Sequence, residues 1–119
     1  RWNVNYKNDD ISINLRLGLT SFKHVGVFPE QAVNWDYISS SIKKFKSPSP
    51  KVLNLFAYTG AASLVAKAAG ADTTHVDSIK QVVNWANENQ ELSNLKDVRW
   101  VVEDALKFVN EVKNTMVLF

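Results

Sequence analysis

Cysteine is absent from the 119 residues, so this stretch holds no disulfide scaffold, no thiolate metal site and no cysteine nucleophile. The same absence is compatible with a reducing, cytoplasmic setting, which is the expected location. No apolar run nears the ~20 residues that a membrane span requires. No secretory signal is visible, although the chain begins at Arg1 rather than Met. The two histidines, His24 and His75, lack metal-type spacing, so structural or surface roles are expected for both and no metal site. Glycine is sparse, with four residues, and neither Gly-x-Gly-x-x-Gly nor Gly-x-x-x-x-Gly-Lys occurs. A loop that grips a pyrophosphate or a triphosphate against bare backbone is therefore missing.

Neither sign of charge dominates, but the distribution is uneven. Residues 1–51 hold eight Lys/Arg against four acids, a net +4, whereas residues 52–119 carry a net −2. A basic front can meet phosphates, and it can equally be an ordinary solvated surface. With 45% hydrophobic residues the chain has the composition of one small globular domain rather than of a disordered segment.

Periodicity supplies the elements. Ile11, Ile13, Leu15 and Leu17 alternate with Ser12, Asn14 and Arg16, the pattern of a half-buried strand. Val4 and Tyr6 precede it across the turn formers Lys7 to Asp10, which predicts a β-hairpin, with a third short strand over 22–27. Phe28-Pro29 opens a helix whose apolar positions are Ala32, Trp35, Ile38, Ile42 and Phe45, and whose last turn carries Lys43, Lys44 and Lys46. Ser47-Pro48-Ser49-Pro50 ends that helix and forms a stiff linker. Beyond it strands and helices alternate. The expected order is a strand over 52–56, a small-residue helix over 60–69 stopped by Gly70, and a strand over 73–76. A helix capped by Ser78 follows, burying Ile79, Val82, Val83, Ala86 and Leu92, then a strand over 98–102. A helix capped by Asp104, with Ala105, Leu106, Phe108, Val109 and Val112, and a strand over 116–119 close the series. Such alternation means α/β architecture with a parallel sheet.

In a parallel sheet of this kind ligands bind at the carboxyl ends of the strands, which puts residues 57–61 on the ligand side. Gly60 removes a Cβ where the backbone turns, and a tight turn with nothing bound would use a glycine equally well. Asp77 tips that balance. It closes the next strand, 17 residues after Gly60, where a carboxylate can accept both hydroxyl protons of a ribose. Asp104 closes the third strand and can accept from an adenine amine, or simply cap a helix. A nucleoside ligand without a gripped phosphate fits this combination, and S-adenosylmethionine answers that description.

Asn54-Leu55-Phe56-Ala57-Tyr58-Thr59-Gly60 resembles the first motif of class I S-adenosylmethionine-dependent methyltransferases. More narrowly, the chain resembles the bacterial 23S (large-subunit) rRNA methyltransferases that modify cytosine C5 or guanine N7. Gly26-Val27-Phe28-Pro29-Glu30-Gln31 is similar to the segment preceding the cofactor domain there. Trp85-Ala86-Asn87-Glu88-Asn89-Gln90-Glu91-Leu92 is similar to the asparagine-bearing helix after the second strand. The likeness covers roughly residues 20–110.

The resemblance implies a partial Rossmann-like sheet, preceded by a small β-hairpin module, that binds S-adenosyl-L-methionine and serves methylation of a ribosomal RNA base. It implies that residues 57–60 pass the methionine end of the cofactor, that Asp77 takes the ribose and Asp104 the adenine amine, and that Gln31 lies near the methionine. The cofactor-binding set implied is Gln31, Asn54, Phe56, Ala57, Tyr58, Thr59, Gly60, Asp77, Ser78, Asp104 and Ala105. Asn54 stands where many class I enzymes carry an acid.

The substrate-facing run of an acid or asparagine, two prolines and an aromatic is missing, since prolines occur only at 29, 48 and 50. No general base or nucleophile is nominated, and acceptor atom and oligomeric state stay open. The division expected is a hairpin module over 1–28, a helix and linker over 29–50, and a cofactor domain over 51–119, incomplete at its carboxyl end. Two other functions share the βαβ pattern. One is a nicotinamide-dependent, NAD(P)-type oxidoreductase domain, which the single-glycine turn disfavours. The other is a non-catalytic RNA-binding or assembly module, which the basic front allows.

Overall fold

The computed structural model describes residues 2–9, 11–18, 31–45, 49–55, 58–111 and 117–118. The expected third strand over 22–27, the helix start at Phe28-Pro29, and Lys46, Val112, Phe56 and Ala57 lie outside the described residues. So does His24.

The hairpin forms as the alternation requires. Strand β1 (Trp2–Lys7) pairs antiparallel with β2 (Ser12–Leu17), with Val4 opposite Leu15 and Tyr6 opposite Ile13. Asn8 closes the turn: its N–H donates to the Ile11 carbonyl at 3.0 Å, and its side-chain oxygen accepts the Ile11 N–H at 3.0 Å. Ile13 and Leu15 are fully buried, while the polar side of the pair is tied by Asn5, whose amide donates to Ser12, the Ile13 carbonyl and Asn14.

Helix α1 (Ala32–Lys44) buries Trp35, Ile38, Ser39 and Ile42, one stripe at three- and four-residue spacing. Phe45 was expected on that stripe, but it turns to extended backbone (φ −66°, ψ 139°), ends the helix and stays exposed. Trp35 meets the edge of Tyr6 at 5.0 Å between centroids, and the Tyr6 hydroxyl donates to Asp36.

A second sheet holds β3 (Lys51–Leu55), β4 (Asp72–Asp77), β5 (Arg99–Val102) and β6 (Val117–Leu118), ordered β5-β4-β3-β6 with every pair parallel. Helix α2 (Ala61–Ala68) links β3 to β4 and ends at Gly70, which takes φ +105°. Helix α3 (Lys80–Leu92) links β4 to β5, and α4 (Ala105–Glu111) follows β5. After β3 the chain adds β4 and β5 on one side and then returns to place β6 on the other. The order thus reverses at β3, and a doubly wound sheet opens its ligand crevice at the carboxyl end of such a strand.

One apolar core joins the two sheets. Ile11, Ile13 and Leu15 of the hairpin, Trp35, Ile38 and Ile42 of α1, Val52 of β3 and Leu64, Val65 and Ala66 of α2 form a single buried cluster.

Helix α3 departs from the expected face. Ile79 lies outside the helix and is exposed, as is Leu92, and Val82 is only half-buried. Val83 and Ala86 are buried as expected, and Trp85, Asn89 and Gln90 are buried with them. Gln90 accepts the Val98 N–H at 3.0 Å, just before β5. For Trp85 and Asn89 the cause is β2, whose outer edge carries backbone polar groups that need partners. Trp85 Nε1 donates to the Arg16 carbonyl at 3.0 Å, and Asn89 Oδ1 accepts the Arg16 N–H at 2.7 Å. Ser93 Oγ accepts the Asn14 N–H at 2.7 Å and donates to the Asn14 carbonyl at 3.0 Å. Polar helix residues bury themselves there because they complete a strand edge.

Candidate cofactor-binding site

The glycine turn after β3 has two left-handed residues: Tyr58 at φ +52° and Gly60 at φ +91°. A non-glycine residue in that region costs energy and persists where its surroundings hold it. Here the holding group is Asp77, at the end of β4. Its Oδ2 accepts the Tyr58 N–H at 3.1 Å, and its Oδ1 accepts the Ile79 N–H at 3.0 Å. Its carbonyl accepts the Glu103 N–H at 3.1 Å, just beyond β5. Three strand ends therefore converge on one residue. A carboxylate offers about four lone-pair positions, and these two backbone bonds leave one on each oxygen.

Helix α3 seats the turn from below, residue by residue. The Tyr58 ring lies 6.5 Å from Trp85, Asn89 Nδ2 donates to the Thr59 carbonyl at 2.9 Å, and Gly60 lies against Ala86. A Cβ on Gly60 would stand 2.9 Å from the Ala86 Cβ. Glycine is required here twice over, for its φ and for its closeness to the helix. Trp85, Ala86 and Asn89 were not singled out for this work from the sequence. The readable signal is their i, i+1, i+4 spacing, which sets an indole, a methyl and an amide on one face.

Beneath the turn a polar row crosses the sheet. Asn54, His75 and Trp100 are register partners on β3, β4 and β5. Asn54 Nδ2 donates to Ser63 Oγ at 2.9 Å, Ser63 Oγ lies 2.8 Å from His75 Nδ1, and Trp100 meets the His75 ring at 4.9 Å. Burial pushes the His75 pKa from its ordinary 6.5 down to about 4, against smaller opposing effects of the Asp77 charge and the Tyr58 backbone. The imidazole is therefore neutral at neutral pH. Asn54 thus points into the interior, towards the first turn of α2.

Other expected site residues are more dispersed. Asp104 is exposed and caps α4, its Oδ2 accepting the Lys107 N–H at 3.1 Å, while Ala105 is buried at the helix start. Ser78 is exposed and does not cap α3. The helix begins at Lys80, so the N-cap position falls to Ile79 with no side-chain cap and Ser78 lies one residue outside it, while Asp77 holds the Ile79 N–H. Gln31 sits exposed before α1, its Oε1 accepting from Asn34 Nδ2 at 2.6 Å. Among the described residues no cluster of three His, Cys, Asp or Glu could hold a metal ion, and no helix is long and apolar enough to cross a membrane.

No family model matches the chain. It is 30% identical, over 106 residues, to a ribosomal RNA large subunit methyltransferase K/L of Shewanella frigidimarina, a match covering 87% of this chain and 14% of that protein. Over 64 residues it is 42% identical to the K/L enzyme of Aeromonas hydrophila, covering 51% of this chain and 9% of the relative. The chain thus spans about one seventh of the first curated relative it matches.

Among solved structures it is similar to a SAM-dependent methyltransferase from Agrobacterium tumefaciens, with a TM-score of 0.78 and 46% identity over 92% of this chain and 35% of that one. A further structure, crystallised with SAH and described as a methyltransferase, gives 0.67 and 25% over 92% of this chain and 28% of its own. By sequence and fold together, the chain is similar to S-adenosylmethionine-dependent methyltransferases and, by sequence, to the bacterial large-subunit ribosomal RNA enzymes.

Proposed function

We propose that this chain is the cofactor-binding part of an S-adenosylmethionine-dependent methyltransferase that acts on a base of ribosomal RNA. The observation that carries the reading is the pinning of the left-handed turn at Tyr58–Gly60 by the Asp77 carboxylate at the sheet's switch point. The free lone pair on each Asp77 oxygen suits the two vicinal hydroxyls of a ribose. Tyr58, Thr59 and Gly60, with Phe56 and Ala57 before them, would pass the methionine end. Asp104 would receive the adenine amine on the oxygen that does not cap α4, beside Ala105 and across from Ser78. Gln31 would stand by the methionine group. Asn54 would act at one remove, by holding the first turn of α2 through Ser63.

When bound, the cofactor supplies an electrophilic sulfonium methyl. The chain's own contribution is positioning: a fixed turn and a fixed carboxylate hold a nucleoside in one orientation, so that transfer starts from an aligned pair. The ribosomal RNA substrate rests on the K/L relatives, whose names specify it. The net +4 of residues 1–51 suits a polyanionic partner.

Calorimetric titration with S-adenosylhomocysteine tests the site. Asp77→Ala is expected to weaken binding by roughly 100-fold, the loss of hydrogen bonds to a charged acceptor. Unchanged affinity in a variant whose thermal unfolding shows it folded would remove Asp77 from the ribose role.

A further inference from the structure

Asn89 is buried completely, in the last turn of α3, where solvent does not reach its amide. Its two ends do different things. Oδ1 accepts the Arg16 N–H of the hairpin at 2.7 Å, and Nδ2 donates to the Thr59 carbonyl of the glycine turn at 2.9 Å. One planar amide therefore spans from a strand near the amino end to the loop that the cofactor would touch. Two neighbours add to the span. Trp85, one helical turn earlier, donates its indole N–H to the Arg16 carbonyl and carries the Arg16 guanidinium 4.4 Å from its ring centroid. The same ring lies 6.5 Å from Tyr58. Arg16 closes the group with a 2.9 Å ion pair to Glu88.

An apolar side chain at position 89 would leave the Arg16 N–H and one acceptor position of Thr59 without their partner inside the fold. We propose that Asn89 is a positioning residue for the cofactor turn, making the shape of Tyr58–Gly60 depend on the one amide that ties Thr59 to the Arg16 backbone of β2, and not on hairpin docking at large. The inference rests on the reading of that turn as the S-adenosylmethionine site. The chemistry selects asparagine because the two partners have opposite polarity: one backbone donor and one backbone acceptor, met by one carbonyl oxygen and one amino group. Aspartate supplies only acceptors when ionised, and leucine supplies neither.

The test compares three variants of the full chain. Ser93→Ala loosens the hairpin at Asn14 without touching the turn. Asn89→Ala removes both bonds. Asn89→Asp keeps an acceptor for Arg16 but sets an oxygen against the Thr59 carbonyl, and it regains a donor when protonated. Hydrogen exchange at the Tyr58 amide, which bonds to Asp77, reports the turn without any ligand. S-adenosylhomocysteine titration reports its use.

Ser93→Ala and Asn89→Ala are both expected to lower the thermal midpoint. Only Asn89→Ala should speed Tyr58 exchange and weaken binding, each by about tenfold or more, the scale of one buried hydrogen bond. In Asn89→Asp, affinity relative to the native protein should recover as pH falls from 8 to 6. Equal exchange at Tyr58 in Asn89→Ala and Ser93→Ala would overturn the positioning role, as would a pH-independent affinity ratio for Asn89→Asp. If the native protein fails to bind S-adenosylhomocysteine while Tyr58 exchange still responds to Asn89 alone, the cofactor reading fails and the mechanical link stands.

Discussion

At the scale of single residues, His75 is the group whose chemistry differs most from its solution behaviour. It lies fully buried between Ser63 and Trp100, on β4 below the Tyr58–Gly60 turn, with its pKa lowered from 6.5 to about 4 by loss of solvation. The sign of the consequence follows from proton counting. Above pH 6.5 the imidazole is neutral in both folded and unfolded chains and contributes no pH dependence. Between 6.5 and about 4 the unfolded chain binds a proton that the folded chain refuses, so stability falls as pH falls, and it levels off below 4. The full loss from this group is of order 3 kcal/mol. Chemical denaturation at a series of pH values should show that decline, and His75→Gln should flatten it. A native profile that is level from pH 7 to 5 would contradict a neutral buried His75.

At the scale of elements, α3 is where sequence pattern and structure part most clearly. Its apolar residues alone gave only part of the buried face: Val83 and Ala86 are buried, but so are Trp85 and Asn89, which bond to β2. Periodicity finds the side of a helix that faces oil. It cannot find a side that faces the unpaired edge of a distant strand, since that demand comes from β2, 70 or so residues away. By contrast β2, α2 and the strand ends were legible, because alternation, glycine stops and strand-terminal acids are local signals. Ser78 illustrates the opposite failure: a good capping residue is passed over when the helix begins one position later, with Asp77 holding the Ile79 amide ahead of it.

The edge-completing role of α3 has a measurable cost if broken. Trp85→Phe keeps an aromatic ring against Tyr58 and Arg16 but deletes the indole N–H that meets the Arg16 carbonyl. Denaturant midpoints should fall by the equivalent of about 1–2 kcal/mol, the penalty for a buried carbonyl that loses its donor. A loss within a few tenths of that for an exposed substitution would mean water serves Arg16 equally well.

At the scale of the whole molecule, the sequence divides at its Ser-Pro linker while the apolar core does not. Ile13 and Leu15 from the hairpin and Leu64 and Val65 from α2 are all essentially inaccessible and belong to one cluster, together with Trp35, Ile38 and Ile42 of α1. A composition break marks where the chain is stiff or polar; which side chains share a core is decided by where the strands' apolar faces end up. Leu15 makes the distinction testable. Truncating it to alanine in a shared core should cost about 2–5 kcal/mol, and the loss should appear equally in every probe. Unfolding followed by tryptophan fluorescence, which samples Trp2 of β1, Trp35 of α1, Trp85 of α3 and Trp100 of β5, should coincide with unfolding followed by far-ultraviolet dichroism, in the native chain and in Leu15→Ala alike. If the hairpin were a module with its own stability, Leu15→Ala would split the two curves and leave the β3–β5 region at its native midpoint. Coincident curves, shifted together, are the expected result, because the residue removed belongs to the same core as α1, β3 and α2.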